Sequence, residues 1–151
     1  MQTRGPHLKK LVMIVDDEEP LRLLLGSLLK MNGFRVLLAG TGKDAIRICA
    51  RFRRPIDLMI TDIQMPELSG FDLAGLIAGL RPGMPVLFIS GALSESDPEV
   101  RERLSPVRDF LAKPFTQKSL ASKIESMLAV SQDAVSRATS QRSLQNQCVP
   151  A

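Results

Sequence analysis

The chain is poor in aromatic residues and in residues that bind metals through nitrogen or sulfur. It contains no tryptophan, no tyrosine, six phenylalanines, one histidine and two cysteines among 151 residues. Cys49 and Cys148 are far apart and show no spacing typical of a zinc site. We therefore expect a reduced, cytoplasmic protein.

Long apolar runs and targeting segments are also absent from the sequence. No apolar run approaches the roughly 20 residues that a helix needs to cross a bilayer, and the start "MQTRGPHLKK" lacks the apolar region of a signal peptide. The sequence therefore predicts neither a membrane span nor export.

The net charge of +4 is spread thinly. Without interleaved aromatic residues, zinc-finger spacing or a helix-turn-helix, it does not favour direct binding to nucleic acid.

Short apolar runs alternate with helical patterns along the chain. Residues 11–15, 58–60 and 86–89 are continuous apolar runs, which are typical of strands covered on both faces of a parallel sheet. Residues 34–39 and 109–112 contain one charge each, and we expect these strands nearer the edges of the sheet.

Five segments between and after these runs have helical periodicity. In the first, leucines recur on one helical face, with Pro20 at the start and Asn32-Gly33 as a stop signal. Thr41 predicts the cap of a second helix that ends near Phe52. The apolar faces of these and the other helices are predicted to hold Leu21, Leu24, Leu25, Leu28 and Leu29; Leu73, Leu76, Ile77 and Leu80; Val100 and Leu104 in a weak helix over 95–104; and Leu120, Ile124, Met127 and Leu128.

The alternation of five strands with five helices predicts a doubly wound α/β domain. The flavodoxin-like strand order 2-1-3-4-5 is expected for the parallel sheet. We assign residues 1–9 to an N-terminal extension, 10–130 to the domain, and 131–151 to a polar tail. The tail has no sustained apolar stripe, and we expect it to be disordered.

Polar residues that suit phosphoryl chemistry follow four of the predicted strands. They are Asp16 and Asp17, Asp62, Ser90, and Lys113. Because the carboxyl ends of parallel strands form one edge of the sheet, we expect these side chains to meet there. Clustered carboxylates repel one another and suit Mg²⁺, and a lysine can hold a phosphoryl oxygen. Such a site could place a phosphoryl group on Asp62.

These residues closely resemble those of the receiver domain of bacterial two-component response regulators. The resemblance covers residues 10–130, and within the family the chain is similar to chemotaxis regulators. The residues that carry it are Asp16-Asp17, Asp62 in "DIQMPELSG", Ser90 and Lys113-Pro114. It implies that Asp62 is the phosphoacceptor, and that Ser90 and Lys113 contact the phosphoryl group. It also implies a magnesium site formed by Asp17, Asp62 and the backbone carbonyl of Gln64, with Asp16 acting through water.

The resemblance further implies how the signal is received and passed on. Phe110 falls at the position of the switch aromatic, and the Lys113-Pro114 bond is expected to be cis. The phosphoryl donor would be a histidine kinase or a phosphotransfer protein. The surface of the fourth helix, fifth strand and fifth helix would contact an unidentified downstream protein. With no output domain expected after about residue 130, the chain would act as a single-domain regulator or in a phosphorelay.

Several alternatives remain open at this point. The "SGA" sequence at 90–92 is similar to receivers of hybrid histidine kinases. A Mg²⁺-dependent phosphatase that works through an aspartyl-phosphate would need a second acid two residues after Asp62, where Gln64 stands. A flavin or nucleotide binder would need a glycine-rich loop after the first strand, where acids stand instead. Phe110 could also be an ordinary core residue.

Overall fold

A five-stranded parallel sheet forms the centre of the molecule. The structure is a computed structural model that describes residues 9–145, with side chains described for residues 9–131. The strands are β1 (Leu11–Val15), β2 (Arg35–Ala39), β3 (Leu58–Asp62), β4 (Val86–Ser90) and β5 (Arg108–Ala112). Their order is β2-β1-β3-β4-β5, so the predicted doubly wound fold is confirmed.

Five helices connect and follow the strands. They are α1 (Glu19–Met31), α2 (Gly42–Arg51), α3 (Gly70–Leu80), α4 (Pro98–Arg101) and α5 (Gln117–Gln145). The predicted ends of the first two are confirmed. Proline stands in the first turn of α1, and Gly33 adopts a φ of 87° just past its end. The Thr41 side chain accepts a hydrogen bond from the Asp44 amide and caps α2.

Two hydrophobic clusters cover the two faces of the sheet. β1, β3 and β4 are buried along their whole length, and their successive side chains alternate between the clusters. Met13, Met59 and Phe88 pack with α2 and α3 on one face, whereas Ile14 and Ile60 pack with α1 and α5 on the other. A shift of register by one residue would exchange the two faces, so the packing fixes the register of each strand and with it the position of the strand ends.

The fourth helix is shorter than predicted. The sequence predicts a helix over 95–104, but α4 contains only Pro98–Arg101. Before it, the Asp97 carboxylate accepts a hydrogen bond from the Ser94 amide and forms a turn. After it, Pro106 disfavours helical geometry at the preceding residue. The turn before the helix and the proline after it limit how far it can extend, and it is about one turn long.

The fifth helix is longer than predicted. α5 continues to Gln145, through much of the segment that the sequence predicts as a loose tail. Residues 131–145 contain neither proline nor glycine, so helix that has begun on the domain can propagate at little cost. Residues 146–151 lie outside the described part of the chain. The assignment of 10–130 as the domain remains a prediction.

Some leucines of the predicted inner faces are exposed. Leu24 and Leu76 are each 55% exposed and Leu80 is 46% exposed, although all three share a helical stripe with buried neighbours. The prediction was wrong for them because a periodic pattern marks one side of a helix, whereas the width of the covered strip depends on the neighbouring elements.

Within residues 9–145, no helix combines the length and apolar character required to cross a bilayer.

Gly70 sets the distance between α3 and the end of β3. Its amide donates a hydrogen bond to the Ile63 carbonyl over 2.8 Å. A Cβ atom at this position would overlap the backbone oxygen of Asp62. Glycine is therefore required where the helix begins, because any side chain would push the backbone of Asp62 aside.

We expect Gly70→Ala to lower the free energy of unfolding by about 1–3 kcal/mol, because the added methyl group has no space. Gly75→Ala in the same helix is the matched control, since no atom lies within 4 Å of its added Cβ. That variant should gain about 0.5–1 kcal/mol from the better helix propensity of alanine. Urea unfolding monitored by circular dichroism measures both changes, and equal effects of the two substitutions would contradict the close approach.

Candidate functional site

Three carboxylates meet at the carboxyl edge of the sheet. One oxygen each from Asp16, Asp17 and Asp62 lies within 4.8 Å of the others. Asp16 follows β1 directly and Asp62 ends the neighbouring β3, so the pairing of these two strands sets their separation. Asp16 is 2% exposed and Asp62 is 7% exposed, whereas Asp17 is open to solvent. The cluster is thus buried on its inner side and accessible from outside.

Lys113 brings a positive charge into this cluster. Its Nζ lies 2.8 Å from Asp62 Oδ2 and 3.8 Å from Asp16 Oδ2. The backbone amide of Lys113 donates to the Ser90 carbonyl over 2.8 Å, which fixes the end of β5 against the end of β4. The peptide bond to Pro114 is cis, as predicted. The ammonium group of Lys113 thus contacts two of the three clustered carboxylates.

Each buried carboxylate is oriented by a backbone amide. Asp16 Oδ1 accepts a hydrogen bond from the Glu18 amide over 2.8 Å, and Asp62 Oδ1 accepts one from the Gln64 amide over 3.0 Å. In both cases the second oxygen, Oδ2, faces Lys113. The amides therefore determine which oxygen of each acid enters the shared site.

The electrostatics of the site favour a bound cation. Burial raises the pKa of Asp16, and the negative charges of Asp62 and Asp17 add to this effect against the Glu18 amide and Lys113. Burial alone would lower the pKa of Lys113, but the hydrogen bond and charge of Asp62 outweigh it, so that pKa is raised. The raised pKa keeps Lys113 protonated beside the carboxylates. Hard oxygen ligands in such a cluster fit Mg²⁺.

Ser90 lies beside this cluster at the end of β4. Asp62 pairs with Ile89 of β4, so Ser90 stands one residue farther along the neighbouring strand. Its buried hydroxyl oxygen accepts hydrogen bonds from the amides of Ala92 and Leu93, over 3.1 and 3.0 Å. The hydroxyl therefore holds the turn that leaves β4. A change in its hydrogen bonds would also affect that turn.

Phe110 lies in the core, at some depth below the site. It is 2% exposed and pairs with Phe88 of β4. Phe71 packs edge-on against Phe88 with ring centroids 4.9 Å apart, and the Arg103 guanidinium lies 4.3 Å from the centre of the Phe71 ring. The structure places Phe110 as a core residue. Its role as a switch remains a prediction.

Sequence reasoning missed the roles of two residues near the acids. Glu18 supplies the amide that orients Asp16, and its negative charge raises the pKa of Lys113 together with the charges of Asp62 and Asp16. Arg22 Nη1 donates to the Asp16 carbonyl over 2.7 Å. These roles depend on loop geometry, for which the sequence contains no periodic signal.

Comparison with known proteins identifies a family for most of the chain. The model of the response regulator receiver domain matches residues 12–125. Over 117 residues the chain is 29% identical to the probable transcriptional regulatory protein TcrX of Mycobacterium tuberculosis, covering 78% of this chain and 49% of that protein. It is 33% identical over 117 residues to the transcriptional regulatory protein GlrR of Escherichia coli, covering 78% and 26%.

Solved structures show the same relationship. The receiver domain of the hybrid histidine kinase CckA is 31% identical, with a TM-score of 0.66 over 78% of this chain and 98% of that one. A response regulator receiver protein from Sinorhizobium medicae is 28% identical, with a TM-score of 0.72 over 82% and 97%. The chain spans about half of TcrX and a quarter of GlrR, so the similarity concerns one domain of each. The chain belongs to the response regulator receiver domain family of two-component signalling systems.

Proposed function

We propose that this chain is a phosphorylation-dependent switch in which Asp62 accepts the phosphoryl group. The observation that carries the proposal is the contact of 2.8 Å between Lys113 Nζ and Asp62 Oδ2, beside two further carboxylates. These groups come from three strand ends that are distant in sequence. Structural ion pairs do not require three acids around one lysine, whereas phosphoryl transfer uses such an arrangement of charges.

The proposed reaction moves a phosphoryl group from a phosphohistidine to a carboxylate oxygen of Asp62. The P–O bond to Asp62 forms while the P–N bond to histidine breaks, and the imidazole leaves with the electron pair. Lys113 would release Asp62 and pair with a phosphoryl oxygen. Ser90 would then donate its hydroxyl hydrogen to another phosphoryl oxygen, and movement of this hydroxyl toward the phosphoryl group would disturb the turn after β4 that it holds. Slow hydrolysis of the aspartyl-phosphate would reset the switch.

Magnesium is the proposed cofactor of this site. Asp16, Asp17, Asp62 and the backbone carbonyl of Gln64 would hold it, with Asp16 acting through water. Mg²⁺ would supply positive charge for the phosphoryl oxygens as they approach the acids. The clustered carboxylates, of which two are buried, support this choice.

The proposed output is a change in the segment between β4 and β5. The phosphoryl group brings about −1.5 to −2 charges next to Ser90 and Lys113, which end β4 and follow β5. Between these strands α4 is about one turn long, and Val100 is its single buried residue. Elements with few buried contacts change conformation most readily. The surface of α4, β5 and α5 would then bind a downstream protein in the cytoplasm.

A second candidate is the receiver domain of a hybrid histidine kinase. The specific observations in its favour are the "SGA" sequence after β4 and the 31% identity to the receiver of the hybrid kinase CckA. In that setting the chemistry at Asp62 is unchanged, and the phosphoryl group passes onward through a phosphotransfer protein. The alternative of an aspartyl-phosphate phosphatase is not favoured, because Gln64 stands where its second acid is needed.

We expect Asp62→Asn to abolish phosphoryl incorporation, because the amide is not a nucleophile toward phosphorus. Incubation with Mg²⁺ and acetyl phosphate, followed by intact-mass measurement, should show one added phosphoryl group on the wild-type chain and on the control, and none on Asp62→Asn. Asp72→Asn is the control, since Asp72 is exposed at the start of α3 and lies outside the cluster. Phosphorylation of the Asp62→Asn variant would refute the assignment of the phosphoacceptor.

We expect Asp16→Asn to stabilise the magnesium-free protein while weakening Mg²⁺ binding at least tenfold. Burial raises the pKa of Asp16 above its ordinary value of 3.8, so the native state holds this proton more tightly than the unfolded state. The free energy of unfolding should therefore fall as the pH rises from 3.8 through the raised pKa. The variant should lose this part of the pH dependence.

Urea unfolding at a series of pH values, with and without Mg²⁺, measures both effects of Asp16→Asn. Asp44→Asn serves as the control, because Asp44 is paired with Arg47 on the surface of α2. A variant less stable than wild type at neutral pH without Mg²⁺ would show that Asp16 does not carry unfavourable charge.

We expect a phosphate mimic to change amide hydrogen exchange mainly across residues 91–110, because the Ser90 hydroxyl holds the turn that begins this segment. Mass-resolved exchange with Mg²⁺ and beryllium fluoride, compared with Mg²⁺ alone, gives the measurement. The amides of α2, on another part of the molecule, provide the internal reference. Unchanged exchange across 91–110 would contradict the proposed output segment.

A further inference from the structure

Arg22 reaches from α1 back to the loop that holds the first two acids. It stands in the second turn of the helix, where its amide donates to the Glu18 carbonyl over 3.0 Å. Its half-buried side chain folds toward β1, and Nη1 donates a hydrogen bond to the backbone carbonyl of Asp16 over 2.7 Å. This bond is short and is made by a charged donor, which is typical of the stronger hydrogen bonds in proteins.

The guanidinium group also lies close to the chain after β2. A Cβ atom on Gly40 would lie 3.1 Å from Arg22 Nη1 and 3.4 Å from Cζ, so the group rests against the bare backbone of this glycine. The adjacent carbonyl of Ala39 accepts a hydrogen bond from the Asp16 amide over 3.2 Å. The residue Asp16 is therefore anchored through its N–H by β2 and through its C=O by Arg22.

We propose that Arg22 is a positioning residue for the cation site, acting through the backbone of Asp16. The fixed carbonyl sets the turn from Asp16 to Glu18, in which the Glu18 amide orients the Asp16 carboxylate. The same turn presents Asp17 to the other acids. Arg22 contacts no carboxylate of the cluster, so it contributes orientation where Lys113 contributes charge at the reacting group.

Arginine suits this position better than lysine. Its planar guanidinium donates in fixed directions, whereas an ammonium group is compact and strongly hydrated. Gly40 matters for the same reason, because a side chain there would occupy the space of the guanidinium. Arg22 and Gly40 thus lie outside the acid cluster but determine how accurately its first acids are positioned. It rests on the proposed function only in taking Mg²⁺ as the ligand.

Arg22→Met tests the proposal, because it keeps the apolar stem and removes the donor. In the magnesium-free protein we expect the Glu18 amide to exchange its hydrogen severalfold faster, as measured by NMR. We expect the dissociation constant for Mg²⁺, measured by calorimetry, to rise about tenfold, as is usual when support of a metal ligand is removed. At saturating Mg²⁺ the rate of phosphoryl incorporation from acetyl phosphate should stay within about twofold of wild type. Arg22→Lys should restore part of the affinity.

Gly40→Ala provides an independent arm that leaves Arg22 in place. The added methyl group should displace the guanidinium and raise the dissociation constant for Mg²⁺ by about threefold. In the Arg22→Met background the same change should have no effect, because methionine lacks the atoms that contact Gly40, so the two substitutions form a double-mutant cycle. Arg47→Met, on the exposed face of α2, is the control for loss of a surface arginine.

The outcomes separate this inference from the proposed function. Unchanged Mg²⁺ affinity and Glu18 exchange in a folded Arg22→Met variant would overturn the positioning role, and so would additive effects in the cycle with Gly40→Ala. If Arg22→Met does not fold, Gly40→Ala decides alone: a raised dissociation constant supports the role and an unchanged one refutes it. Phosphorylation of Asp62→Asn would instead remove the proposed function and leave the magnesium-free exchange result standing.

Discussion

The whole site depends on holding three carboxylates near one ammonium group at the edge of a sheet. Like charges at this distance repel, and burial of Asp16 and Asp62 strengthens that repulsion. Lys113 and the two orienting amides offset part of it. The remaining excess of negative charge suits a cation, and in the proposed function that cation allows a phosphoryl group to approach. A site without excess negative charge would not attract a cation in this way.

Packing in the two hydrophobic clusters holds the acids together against their repulsion. Because β1 and β3 are buried along their length and paired in one register, the acids at their ends cannot move apart without disturbing the core. Gly70 brings α3 against the backbone of Asp62 from below, and Arg22 anchors Asp16 from the side. The inner part of the site is therefore rigid, as preorganised binding of a small ion demands.

The segment between β4 and β5 differs from the rest of the domain in its packing. It contains one short helix with a single buried residue, held between a serine-dependent turn and Pro106. One contact of this segment with the core is made by Arg103, whose guanidinium lies over the ring of Phe71 in α3. Phe71 in turn packs against Phe88 of β4. A domain with rigid acids and one loosely packed segment can couple local charge to a distant surface, because the weakest element responds first.

The sequence predicted much of the fold and the residues of the site. Continuous apolar runs and helical stripes predicted the strand order, and the acids, serine and lysine at strand ends predicted the site, because strand polarity forces carboxyl ends to one edge. The predictions for α4 and α5 were less accurate. A turn and a proline bound the first, and helix propagation extended the second. Exposure of Leu24 and Leu76 also depended on the neighbouring elements, which a single-helix pattern does not contain.

The sequence alone determined which chemical groups the site contains, because side-chain type and strand-end position are both written in the order of residues. The tertiary structure decided how those groups are aimed. The amides of Glu18 and Gln64, the carbonyl held by Arg22 and the space left by Gly40 and Gly70 have no signature in composition or periodicity. They arise from contacts between loops that are adjacent in space after folding, and these contacts form only when both faces of the sheet are packed.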